Sequence, residues 1–123
     1  MEKMKRRIVL VLGASLFAAS APALAHHSAA QFDLTNHDAY FTGVVKEFKA
    51  INPHAVVTIE VTDAKGTREI TFEGRSMSNM YRNGWRPGKI NVGDTVTVNA
   101  APRKDGADGG FVFSIETKDG GKY

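Results

Sequence analysis

Cysteine is absent from all 123 residues. That excludes a disulfide framework, a thiol nucleophile, a thiolate metal site and a dithiol redox pair. Long apolar runs are also scarce. The longest, Ile8 to Ala21, is interrupted by Ser15 and Ser20 and falls short of the roughly 20 apolar residues that a bilayer-spanning helix needs. Ser28, Ser76, Ser78 and Ser114 have no nucleophile-elbow context. Gly106, Gly109 and Gly110 have no helix after them, so they are not a phosphate-binding loop. No paired-carboxylate motif stands out. These absences argue against an enzyme, and catalysis is not expected.

What is present begins with an export signal. Met1 to Arg7 is basic, Ile8 to Ala21 is apolar, and Ala23-Leu24-Ala25 supplies the small residues of a cleavage site. The expected cut follows Ala25, with Ala23 as the alternative, so residues 1–25 read as a signal peptide and no stable membrane anchor is expected after cleavage. The expected location is periplasmic or secreted. Export also changes the electrostatics. The chain has 16 Lys and Arg against 13 Asp and Glu. The leader takes Lys3, Lys5, Arg6 and Arg7 with Glu2, which leaves 12 of each sign. Phosphate neutralisation drives nucleic-acid binding, and with no basic surplus a nucleic-acid partner is not expected.

Residues 26–38 read as an irregular N-terminal arm, and residues 39–117 as a β domain. Tyr40 to Phe48 is rich in aromatic and β-branched residues, with Gly43 suggesting a bend or bulge. After Asn52-Pro53, Ala55, Val57, Ile59 and Val61 alternate with polar residues, the mark of a half-buried strand. Thr67 to Glu73 repeats the pattern with Ile70 and Phe72 inward. Ser76 is a helix N-cap, Met77, Met80 and Tyr81 form one helical stripe, and Gly84 stops it. Two more strands follow: Thr95 to Ala100, and a last one on which Phe111, Phe113 and Ile115 alternate. Residues 118–123 read as a polar tail. The order strand-strand-strand-helix-strand-strand predicts an all-β fold with one short helix: a five-stranded barrel of the oligonucleotide/oligosaccharide-binding (OB) type. An open five-stranded sandwich is the alternative. The outer face of strands two and three would carry His54, Thr58, Glu60, Thr67, Glu69 and Thr71. It lacks the aromatics that stack bases. Trp85 and Tyr81 are expected to cap the barrel beside the helix.

His26-His27-Ser28, Phe32-Asp33, Gly43-Val44-Val45, Asn52-Pro53-His54, Phe72-Glu73-Gly74, Arg82-Asn83-Gly84-Trp85 and Gly93 to Val98 span the mature chain. Together they resemble a family of small exported bacterial proteins, domain of unknown function 6152. The resemblance implies export and a small β barrel, and no activity.

The candidate chemistry lies in four histidines: His26, His27, His37 and His54. A cut after Ala25 makes His26 the first residue, whose α-amine and ring nitrogen chelate one ion, with another imidazole completing a planar N₃ set suited to Cu(II). A cut after Ala23 puts His26 third, also a copper-binding terminus. The arm is long enough to run back along the strand from Tyr40 to Ile51, about 40 Å at 3.3 Å per residue, which permits it to reach His54, the expected partner ligand. The metal site read from the sequence is therefore His26, His27 and His54, with copper as the ion. Zinc fits less well, because no thiolate or carboxylate accompanies the histidines at the usual spacing. The function that follows is an exported binding or accessory module for a small ligand or a periplasmic protein. The alternative is a structural or protein-interaction module without metal.

Overall fold

The computed structural model describes residues 29–123. Five strands and one short helix follow in the order β1 (Tyr40–Lys49), β2 (Val56–Asp63), β3 (Gly66–Glu73), α1 (Met77–Arg82), β4 (Thr95–Pro102) and β5 (Gly110–Thr117). The strands close into a barrel with neighbours β1-β2-β3-β5-β4. This is the OB arrangement expected from the strand order, and the open sandwich is excluded. All neighbouring pairs are antiparallel except β3 with β5, which pair in parallel through Phe72↔Gly110 and Glu73↔Phe111 alone.

The β2 alternation produces the expected burial. Ala55, Val57, Ile59 and Val61 all face the core, as do Ile70 and Phe72 from β3. Phe72 is fully buried and meets Phe41 with ring centroids 5.0 Å apart. Burying one such side chain contributes about 1.5–3 kcal/mol. Thr58 departs from its expected exposed position. It is buried, and its hydroxyl lies 2.8 Å from that of Thr71 across the β2–β3 ladder.

Gly43 is not the bulge. The irregularity in β1 lies between Val45 and Glu47. Gly43 instead permits close approach, since a Cβ there would collide with the Glu60 carbonyl. The last strand corrects a second expectation. Phe111, Phe113 and Ile115 do not share a face: Val112 and Ile115 are buried, while Phe111 and Phe113 lie half-buried outside. A register shift is the cause. Asn99 pairs with Ser114 but Ala100 pairs with Val112, so Phe113 is an extra residue that breaks the period of two.

α1 starts and stops as its sequence dictates. The Ser76 hydroxyl accepts from Asn79 N–H at 3.2 Å. At the other end Gly84 takes a φ of +94°. Gly84 N–H then donates to the Tyr81 carbonyl at 3.1 Å and Trp85 N–H to that of Met80 at 3.0 Å. These two bonds form a Schellman stop, and Met80 and Trp85 both belong to the core. Trp85 is buried and stands edge-on to both Tyr81 and Phe48. It caps one end of the core, as expected.

Both termini of the described chain are tied to the barrel. Residues 121–123 turn back as a short antiparallel partner to β5, through Thr117 N–H to the Gly121 carbonyl (2.8 Å) and reciprocal Ile115–Tyr123 bonds (2.8 and 3.0 Å). Tyr123 packs against the core. The segment expected as a polar tail thus lines the edge of β5 turned away from β4.

Candidate functional site

The site is built from the loop before β2, the end of β3, the outer face of β5 and the arm. His54 follows Asn52-Pro53. Its neighbours pin it to the end of β3: Ala55 N–H donates to the Arg75 carbonyl at 2.8 Å, and Gly74 N–H to that of Ala55 at 2.9 Å. The His54 Nδ1 lies 3.0 Å from the Gly74 carbonyl oxygen. A carbonyl only accepts, so Nδ1 carries the proton, and in the neutral ring Nε2 presents its lone pair. Metal-binding imidazoles are commonly oriented in this way. The ring is half-buried, edge-on to Phe111 with centroids 6.0 Å apart.

The arm meets the same phenylalanine. Phe32 is buried, its ring centroid 6.0 Å from that of Phe111. Backbone bonds hold it: Asp33 N–H to the Pro102 carbonyl and Lys104 N–H to the Gln31 carbonyl, both at 2.9 Å. Arg103 adds a bond to Gln31 Oε1 at 3.0 Å. Further on, His37 stacks on Phe113 at 4.3 Å, and Asn99 Nδ2 donates to the carbonyls of His37 and Ala39. The arm therefore crosses the end of β4 and the outside of β5, and does not run back along β1. The closed barrel gives the reason, since both edges of β1 are occupied by β2 and β4.

Between the arm and the outer face of β2–β3 lies a cleft of about 240 Å³, lined by Phe32, Val56, Thr71, Glu73, Arg103 and Asp108 among others. The β4–β5 loop that borders it is held by two ion pairs, Arg103–Asp105 at 2.7 Å and Arg68–Asp108 at 2.6 Å. The Arg103 guanidinium holds the Asp105 carboxyl down at about 2. Arg68 lowers both Asp108 and Asp63 below the usual carboxylate range.

Of the metal ligands read from the sequence, His54 is in this site, whereas His26 and His27 lie outside the described residues. Among the described residues no three His, Asp or Glu side chains are grouped as a metal site, and no helix is long and apolar enough to cross a membrane. The sequence reading missed Phe32, Phe111 and Phe113 as the surface that gathers His54, His37 and the arm. The signal for Phe32 was its being the one Phe, Tyr or Trp of the arm. For Phe111 and Phe113 there was none, because a bulge is not written in periodicity.

No curated protein and no solved structure matches this chain. A family model does match, over residues 14–113, under the description "Family of unknown function (DUF6152)". That match covers most of the sequence, and the chain belongs to this family.

Proposed function

We propose that the protein is an exported accessory module that binds one Cu(II) ion through the processed N-terminal histidine and His54. One observation carries the reading: Phe32 and His54 rest on the same ring, that of Phe111. Their separation is no greater than those two centroid distances laid end to end. His26 stands three residues before Ala29, a span of about 10 Å when extended, and Ala29 is joined to Phe32 by a turn in which Phe32 N–H donates to the Ala29 carbonyl at 3.2 Å, so the docked arm leaves His54 within its reach. The chelate would use the α-amine and ring nitrogen of His26, with the imidazole of His54 as the third donor. Nitrogen donors in such a set favour Cu(II) among divalent first-row ions. The Gly74 carbonyl supports the reading by fixing the tautomer of the neutral His54 ring, with the proton on Nδ1 and the Nε2 lone pair free.

A native mass spectrum of the exported protein, before and after one equivalent of Cu(II), tests this. The expected result is a chain that begins at His26 and takes up one copper tightly. A residue added before His26, or His54→Ala, should weaken that uptake by at least tenfold. Equal copper affinity in both variants would refute the proposal and leave the second reading, a metal-free interaction module.

A further inference from the structure

Charge is unevenly placed on this molecule. From residue 26 onward the two signs balance, yet residues 74–93 hold Arg75, Arg82, Arg86 and Lys89 and no Asp or Glu. The remainder then holds eight Lys and Arg against twelve Asp and Glu. The cationic segment is one piece of the fold. It runs from the end of β3 through α1 to the loop before β4, and supplies Met80, Trp85 and Ile90 to the core. None of its four cations forms a salt bridge among the described residues. Arg75 and Lys89 stand at its margins, in clefts shared with Tyr123 and with Asp94 and Asp119 respectively. Arg82 and Arg86 stand at its centre.

The hydrogen-bond partners of these two arginines are neutral. Arg82 donates to Asn79 Oδ1 at 3.3 Å. Arg86 donates to the carbonyls of Tyr81 and Trp85 at 3.0 and 2.7 Å, and its guanidinium carbon lies 5.1 Å from the centre of the Tyr81 ring. A carbonyl or a ring orients a cation without cancelling its charge, and both arginines are exposed. Apolar groups accompany them. Tyr81 is exposed although it stands edge-on to Trp85. Met77 is half-buried one turn before it, on the same side of α1. The Met77 N–H donates to the carbonyl of the exposed Ile51 at 3.0 Å. Apolar side chains and uncancelled cations therefore share the outer surface around α1.

We infer that this end of the barrel docks on a membrane surface rich in anionic phospholipid. Charge complementarity selects that partner. A negative surface turns a neutral molecule with one cationic pole so that the pole faces it and the carboxylate-rich remainder faces away. Guanidinium groups meet headgroup phosphates through paired N–H bonds. Tyr81 and Ile51 then enter the headgroup layer, where amphipathic aromatic and apolar side chains are stabilised. The contact is peripheral and reversible, since α1 has only six residues and buries little in the lipid. Neither His26 nor His54 takes part, so the test does not depend on the copper proposal.

Co-sedimentation with vesicles is the experiment, using the exported protein without its leader, free of metal and at low ionic strength. Vesicles of equal parts phosphatidylglycerol and phosphatidylcholine should carry the protein down. Phosphatidylcholine alone should not, and raised salt should release the protein through screening. Arg82→Gln and Arg86→Gln should each weaken binding about fivefold, and together at least tenfold, with circular dichroism unchanged. Arg86→Lys should keep most of the binding. Lys65→Gln with Lys104→Gln removes the same charge from beside carboxylates, Asp63 and Asp108 for Lys65 and Asp33 for Lys104, and should bind as the parent does. The inference fails if phosphatidylcholine binds equally, if the arginine double variant binds as well as the parent, or if both double variants lose binding alike. Tighter binding to polyglutamate than to the vesicles would overturn the lipid assignment in favour of an acidic protein. Ile51→Ser should weaken binding several-fold, and unchanged binding would overturn the part given to the apolar side chains.

Discussion

His54 is hydrogen-bonded through Nδ1 to the carbonyl of Gly74, twenty residues further along the chain and 3.0 Å away. One side chain thus ties the loop before β2 to the end of β3 and also sets its own tautomer. Nitrogen-15 NMR of the neutral ring should find Nδ1 protonated and Nε2 bare. His54→Ala should destabilise the fold by about 1–2 kcal/mol, because the carbonyl of the buried Gly74 loses its partner. Chemical denaturation measures that loss, and a bare Nδ1 would contradict the tautomer.

Phe32 should act as the anchor of the arm rather than as a member of the barrel core. Phe32→Ala is expected to cost about 3 kcal/mol for the docked arm. Native-state hydrogen exchange provides the measurement. The amides of Asp33 and Lys104, bonded across the arm, should lose protection while those of β2 keep theirs. Equal loss in β2 would show that the arm and barrel unfold as one.

Trp85 is nearly fully buried, yet its Nε1–H has no hydrogen-bond partner among the described residues. An unpaired buried donor weakens the fold it sits in. Trp85→Phe keeps an aromatic ring beside Tyr81 and Phe48 and removes that donor. It should cost no more than about 1 kcal/mol, whereas Trp85→Ala should cost about 3–5 kcal/mol. Urea unfolding midpoints of the two variants make the comparison.

The β4–β5 loop should respond to acid. Asp105 has a folded-state value of about 2, held down by Arg103, against about 3.9 for an unfolded aspartate. A lowered folded value means stability that is present above the unfolded value and is lost as pH falls from there through about 2. Asp63 and Asp108 contribute in the same direction through Arg68. All three carboxylates are solvent-exposed, so the effect is small and weakened by salt. Thermal melts between pH 5 and pH 2 should show a shallower decline for Arg103→Gln than for the parent.

The legible parts of this fold were the local ones. The alternation of Val57, Ile59 and Val61 follows from one face of a strand meeting a core. Ser76 and Gly84 bound α1 because hydrogen bonding and a positive φ act within a few residues. The barrel order followed from the sequence of elements. Contacts between distant segments left no such trace. Nothing near Phe113 announces the extra residue that turns it and Phe111 outward. The docking of Phe32, and the return of Tyr123 along β5, depend on surfaces that exist only once the barrel has closed. For the candidate site, His54 was legible as an isolated histidine after Asn52-Pro53, but its tautomer and its nearness to the arm were not.

The cylinder is fastened unevenly. β2 and β3 are joined through eight residue pairs, β3 and β5 through two. Thermal opening should therefore start at that seam, as a parting of β3 from β5 that leaves the antiparallel ladders intact, well below the free energy of global unfolding. Further along, from Ile115 to Thr117, this edge of β5 is lined not by β3 but by residues 121–123. Any breathing of the barrel is thus coupled to that short segment, and shortening the chain there would loosen a structure whose sheet it scarcely belongs to.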